Sequence, residues 1–241
     1  AKHAVEIYSF ADAYRGDYTK AVPGAAAYYQ SYNGYNDELA FGAMWIYRLT
    51  GEEKYHEKFK AIADAEYGEQ DDRKYCCSTG PISWDDKRPG AYILAALVTK
   101  EEVRMKEAYN YCDAIIKQKR TPGGLWYSSL SQWASNRYAA NAASMVAVFA
   151  SILPESDPKR KGYIDFVKSQ IDYILGDNPA GVNDVVGAEE NSPRAVHHRG
   201  ASGTFDSLDK NAKPYYNIYT LYGALAGGPG PDDDFKDSRD N

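Results

Sequence analysis

Residues 138–153 read YAANAASMVAVFASIL, and residues 159–175, just beyond a five-residue break, read KRKGYIDFVKSQIDYIL. The first stretch is apolar nearly all round, as a helix buried on every side is. The second keeps Ile164, Val167, Ile171 and Ile174 on one stripe and charged residues on the other face, as a surface helix does. Working outward, the same two kinds alternate along the chain. Segments 3–15, 53–66, 102–118 and 159–175 are amphipathic, and segments 37–50, 89–99, 138–153 and 217–226 are apolar nearly all round. No convincing period-two strand interrupts them, so the class is all-α, with strict alternation predicting two concentric rings of helices. Links from buried to amphipathic helices are short (Thr50 to Glu52, Thr99 to Glu101, Pro154 to Pro158), whereas the return links run about 17 to 41 residues. In an array of antiparallel hairpins the long links share one end, and long ordered loops usually carry function. The site is expected there.

A length of 241 residues suits one domain with a sizeable core. With 28 Lys plus Arg against 34 Asp plus Glu, the net charge of -6 argues against a nucleic-acid partner. The apolar runs, about ten residues at most, fall short of the roughly 20 that span a bilayer, and no basic-then-apolar leader opens the chain, so no membrane partner is expected. Cys76, Cys77 and Cys112 match no zinc spacing. The 22 tyrosines suit helix packing, and amphipathic rings also stack on flat sugar faces.

Each long loop holds an aromatic or carboxylate cluster. The first runs Tyr28-Tyr29-Gln30-Ser31-Tyr32-Asn33-Gly34-Tyr35-Asn36-Asp37-Glu38-Leu39. Adjacent Asp37 and Glu38 beside a glycine turn can offer hard oxygen ligands to calcium, or can be helix N-terminal carboxylates favoured by the dipole. The second holds Ser83-Trp84-Asp85-Asp86-Lys87, which also reads as a staple and N-cap before a helix. The third runs from Thr121-Pro122-Gly123-Gly124-Leu125 to Gln132-Trp133-Ala134-Ser135-Asn136-Arg137-Tyr138-Ala139-Ala140-Asn141. The fourth opens with Gly176-Asp177-Asn178-Pro179, continues to His197-His198-Arg199, and after Gly227-Gly228-Pro229 reaches Phe235-Lys236-Asp237. Paired histidines and an arginine can donate to several hydroxyls, while a metal reading is weak because adjacent histidines point apart.

In this order the segments resemble glycoside hydrolase family 9, the inverting endoglucanases and cellulases. They match that family's Ser-Gly-Tyr-x-Asp-Glu-Leu, Ser-Trp-Asp-Asp-Lys, Gly-Gly-Leu … Gln-Trp-Gly-x-Leu-Arg-Tyr-Ala-x-Asn and Gly-Asp-Asn-Pro stretches, its histidine signature, and an aromatic-x-Asp segment a few residues before the proton-donating glutamate. The resemblance implies an (α/α)6 barrel of the six-hairpin glycosidase type, with about eight of twelve helices in these 241 residues. It implies cellulose or a related β-1,4-glucan as substrate and secretion as the destination. It also implies a structural calcium held by Asn33, Gly34, Asp37 and Glu38, with Asp86 as a later ligand. Trp133 becomes a sugar platform and Tyr138 a cleft wall, and Tyr29, Tyr32, Arg137, His198 and Arg199 become further glucan contacts. His197 and Asp237 take catalytic-site positions. Asn33 replaces the usual serine, Asn183 a small or β-branched residue, and Glu189 a glycine, which alters subsite shape.

Inverting hydrolysis needs an acid and a base about 6.5–9.5 Å apart. The family takes its base from an Asp-x-Gly-Asp segment, which these residues lack, and its acid from a glutamate beyond the position of Asn241. The expectation is a catalytic domain incomplete at both ends, whose partner is the rest of the same domain and whose helices expose apolar faces without it. The alternative is a non-catalytic glucan-binding or scaffold protein that keeps the cleft.

Overall fold

The computed structural model describes residues 1–67, 80–203 and 217–237. Its helices are α1 (Lys2–Ala13), α2 (Tyr18–Ala21), α3 (Asn36–Thr50), α4 (Glu53–Tyr67), α5 (Arg88–Thr99), α6 (Glu102–Ile116), α7 (Ser135–Ile152), α8 (Arg160–Ile174) and α9 (Arg199–Ser202). Among the described residues there is no strand, only two isolated bridges, Arg120 with Trp126 and Val185 with Leu225. The chain divides into two compact units, Ala1–Ile115 with Val148–Glu155, and Ile116–Ala147 with Ser156–Asn241.

In the first unit α3 packs on α1, α4 and α5. Its core joins Leu39, Ala43 and Met44 of α3, Tyr55, Phe59 and Ala63 of α4, and Ala91, Tyr92, Leu94 and Ala95 of α5. α5 is buried continuously from Pro89 to Ala96, which is why its sequence shows no polar face. Gly42 permits close approach, since a Cβ there would lie 3.0 Å from the Tyr8 ring. On α6, Arg104 and Glu107 form a buried ion pair at 2.9 Å, 2% and 1% exposed, with the Arg104 guanidinium 4.9 Å from the Phe59 ring centroid. The apolar stripe of α1 lies open instead: Ile7 and Phe10 are 70% and 65% exposed, and with Trp45 of α3 they line a groove of about 550 Å³.

In the second unit Trp126 is fully buried, and both its backbone N–H and the carbonyl of Gly124 are held by the Gln170 side chain of α8, at 2.5 and 3.1 Å. α8 ends at an Asn178 cap, whose Nδ2 donates to the carbonyls of Tyr173 (2.7 Å) and Val182 (2.8 Å).

The expected buried helix at 217–226 does not form. Gly223 takes φ +80°, and the amides on either side bond outward to residues 184–186: Gly223 N to Val186 O, Val186 N to Ala224 O and Ala226 N to Asp184 O, each 2.9 Å. A long-range pairing consumes the groups an intrahelical ladder would use. Only part of its apolar surface is buried: Ala226 joins Val186 and Val196 in a small cluster, with Leu221, Ala224 and Phe235 partly buried against it, while Ile218, Tyr219, Tyr222 and Leu225 stay exposed. Cys76 and Cys77 lie outside the described residues, whereas Cys112 is a free, buried thiol that burial pushes well above its ordinary pKa.

Candidate functional site

The carboxylate loops sit in the first unit. Gly34, at φ +77°, turns the chain into α3, which begins Asn36-Asp37-Glu38. Asp37 is buried; its Oδ2 accepts the Lys87 backbone N–H at 2.6 Å, and its Oδ1 has no partner among the described residues. Glu38 beside it keeps 42% of its side chain exposed. Burial raises its carboxyl to about 8, the hydrogen bond and charge of Asp37 add to that, and the Lys87 ammonium, 3.7 Å away, opposes it. Lys87 Nζ is itself tethered to the carbonyls of Ser83 (2.5 Å) and Trp84 (2.8 Å).

Asp86 does not join this pair. Arg88 holds both its oxygens, through Nε to Oδ1 at 2.9 Å and a terminal nitrogen to Oδ2 at 2.7 Å, while the Arg88 amide also donates to Oδ1. The carboxylate that reaches the first loop is Asp85: its Oδ1 accepts the amides of Tyr32 (2.6 Å) and Asn33 (3.3 Å), and its Oδ2 accepts Asn33 Nδ2 at 3.2 Å. Sequence reading passed over Asp85 because two adjacent aspartates give no local sign of which one faces a loop 52 residues away. Tyr29 and Tyr32 are exposed, Tyr29 resting edge-on against Trp84. Among the described residues no group of three or more His, Cys, Asp or Glu is gathered to hold a metal.

The aromatic and histidine loops sit in the second unit. A turn capped reciprocally by Ser128 and Ser131 leads to Trp133, which is 49% exposed. Ala134, at φ +59°, then bends the chain into α7. The His197 ring meets Trp133 edge to face at 5.4 Å. The two aromatic side chains expected to line the cleft here therefore part company. Tyr138 is only 2% exposed, its ring faced by the Arg137 guanidinium at 4.5 Å and its hydroxyl accepting an Arg137 N–H at 2.9 Å. In this chain Tyr138 is core and presents no face to a sugar, because α7 begins with that side turned inward. Arg137 is half-buried.

His198 precedes α9, and its Nδ1 accepts the Ala201 amide at 3.1 Å, which leaves Nε2 as the donor of the neutral ring. The backbone of Arg199 opens α9, and its side chain lies outside the described residues. Asp237 accepts from the backbone: Oδ1 from Ala195 at 2.8 Å and Arg194 at 3.1 Å, and Oδ2 from Arg194 at 3.1 Å.

Three polar anchors escaped sequence reading. Asn136 donates through Nδ2 to Asp184 Oδ2 (2.7 Å) and to Ala226 O (3.2 Å), and its amide bonds Gly227 O at 3.0 Å. Asp184 is buried, and burial raises its carboxyl to about 6 even though the Asn136 amide favours the ionised form. Asp233 accepts the Gly123 amide and the Tyr173 hydroxyl, both at 2.5 Å. Asn136 stands between Ser135 and Arg137, so nothing local in the sequence marks it as an anchor.

The family model for glycosyl hydrolase family 9 matches residues 1–241. Endoglucanase B of Cellulomonas fimi is 40% identical over 98% of this chain and 23% of its own length, and endoglucanase A of Bacillus pumilus is 39% identical over 98% of this chain and 36% of its own. The chain thus spans about a quarter to a third of these relatives. The crystal structure of endoglucanase CelQ from Clostridium thermocellum complexed with cellotetraose superposes with a TM-score of 0.84 at 34% identity, over 99% of this chain and 40% of that one.

Proposed function

The chain belongs to glycosyl hydrolase family 9, and from there we propose that it forms, within a longer polypeptide, part of the glucan cleft of an endo-β-1,4-glucanase. Its all-α fold is part of that family's (α/α)6 barrel. The observation that carries the reading is the half-exposed Trp133 ring with His197 edge-on beside it. An indole face desolvates the axial C–H face of a glucose ring, and imidazole N–H groups bond the hydroxyls at its rim. His198, with Nδ1 committed to Ala201, would donate through Nε2. Arg199, next in sequence to His198, would add a further contact, and Tyr29 and Tyr32, exposed on the first unit, would be glucan contacts of their own.

Cleavage then follows the inverting scheme. One carboxylic acid protonates the glycosidic oxygen while a carboxylate on the opposite face takes a proton from the attacking water, the two about 6.5–9.5 Å apart. Both groups are assigned to parts of the domain outside these 241 residues, and this chain would supply binding and orientation. An extracellular location fits an insoluble polymer as substrate.

Calcium belongs to the same proposal. Asp37 Oδ1 is a buried carboxylate oxygen with no partner among the described residues, and a divalent cation would satisfy it. Asp37, Glu38 and the Asn33–Gly34 turn would hold the ion without Asp86, and the ion would fix the start of α3. A fall in melting temperature on EDTA treatment, restored by calcium, is expected; an unchanged melt removes the ion.

The test of function is hydrolysis of cellotetraose by the complete polypeptide, followed by proton NMR of the first-formed product. An α-anomer is expected from the β-linked glucan. Tight binding without hydrolysis would mean a glucan-holding scaffold, and absence of binding would sink the reading.

A further inference from the structure

The segment leading to His197 is held from two sides. On one side Val196 packs into the cluster with Val186, Ala226 and Phe235. On the other, Asp237, two residues beyond Phe235, turns its carboxylate onto the amides of Arg194 and Ala195. Oδ1 accepts from both amides and so has both in-plane acceptor positions filled, while Oδ2 shares the Arg194 N–H. Asn217 adds a third tie through Nδ2 to the Val196 carbonyl at 3.1 Å, and the His198 amide bonds that carbonyl at 2.7 Å. His197 therefore leaves a backbone whose last three residues are each fixed.

We propose that Asp237 is a positioning residue: its carboxylate clamps the Arg194–Val196 backbone and thereby sets His197 against Trp133, without itself handling a proton in the reaction. The clamp explains why a charged side chain is used on an exposed loop, since a carboxylate accepting several backbone N–H bonds holds them more strongly than a neutral acceptor would. It also explains why Phe235 and Asp237 act as a unit, one side chain burying and the next-but-one bonding the same short segment. The proposal rests on the glucan-cleft reading above.

The two possible roles separate on substitution. In Asp237→Asn, the amide oxygen can take both bonds that Oδ1 accepts, while its NH2, a donor, replaces Oδ2 beside the Arg194 N–H and the shared bond is lost; Asp237→Ala loses all three. In the complete polypeptide, Asp237→Asn should keep kcat and KM for cellotetraose within about threefold, with the pH profile unmoved. Asp237→Ala should raise KM and lower kcat, each by about tenfold or more, again without moving either limb of the profile. Hydrogen exchange at the Arg194 and Ala195 amides gives a second readout that needs no turnover: about tenfold faster in the alanine variant and intermediate in the asparagine variant. Equal impairment of both variants with loss of one limb of the pH profile would overturn the proposal in favour of a proton-transfer role. Wild-type kinetics and exchange in both would overturn it as well. A wild-type protein that neither binds nor cleaves glucan removes the functional reading, and the exchange data then decide the clamp by themselves.

Discussion

In α3, α4 and α5 the backbone hydrogen bonds close within each helix, and the helices meet through Met44, Phe59, Tyr92 and small alanines. The segments 176–198 and 221–237 have neither a helical ladder nor wide apolar faces. Beside the three backbone bonds between 184–186 and 223–226, their order comes from side chains that bond backbone far away in sequence: Asp237 to Ala195, Asn136 to Ala226, Ser135 to Pro229 and Asp233 to Gly123, over 42, 90, 94 and 110 residues. The first region is stabilised mainly by apolar area removed from water. The second depends on a few polar groups, each leaving an unsatisfied partner if removed. Stability and sugar recognition should therefore respond to different substitutions.

The largest expected effect is in the helical region. Phe59→Ala should cost about 3–5 kcal/mol in urea unfolding of the complete polypeptide, through lost burial and the cavity left behind. Cellotetraose affinity per folded molecule should stay put, and a matching loss of affinity would break the distinction.

Next comes Asp184, whose carboxyl rises from 3.8 to about 6 in the folded protein. Because the folded state holds a proton that the unfolded state releases, stability falls as pH climbs from about 4 to about 6 and is level above that. The full difference is about 3 kcal/mol. Asp184→Asn carries no charge to bury, so it should be more stable than wild type by up to about 3 kcal/mol at pH 8 and equal to it near pH 4. A gain independent of pH would mean that packing, and not ionisation, limits this site.

Trp133→Ala should weaken cellotetraose binding about tenfold to thirtyfold, or roughly 1.4–2 kcal/mol. As a half-exposed side chain its loss should leave the urea midpoint nearly unchanged, and equal effects on both would show Trp133 to be core after all. The smallest effect is a gain. Ala134 holds φ +59°, where the family pattern has glycine, and Ala134→Gly should relieve about 0.5–1 kcal/mol of backbone strain. A loss of stability would mean that the methyl group packs usefully.

What the sequence displayed follows the same division. α3 and α5 were foreseen to within one residue at each end, as Asn36–Thr50 and Arg88–Thr99, because their apolar pattern is local and their ends carry ordinary stop signals such as Gly51. The residues 217–226 are similarly rich in apolar residues, yet the turn at Gly223 and the pairing with 184–186 keep them from forming a helix. That partner lies some 40 residues upstream, where periodicity cannot reach. At the candidate site, residue types singled out Trp133 and the histidines. They could not show that Tyr138 turns inward, that Arg88 takes Asp86, or that Asp233 and Asp237 bond backbone, since each depends on which atoms meet after folding.

The bond from Gly123 to Asp233 also orders events in time. Closing a loop of 110 residues costs more chain entropy than the short hairpins α3–α4 or α5–α6, by about 0.6 kcal/mol for each doubling of length. The hairpins should form in the earliest phase of refolding, and the segment that presents His197 should lock last, once residues near 233 and 237 have found their partners. By the same logic that segment is the first to open. A polypeptide still on the ribosome would hold finished helices while the segment around His197 waited for residues near 233 and 237 to emerge.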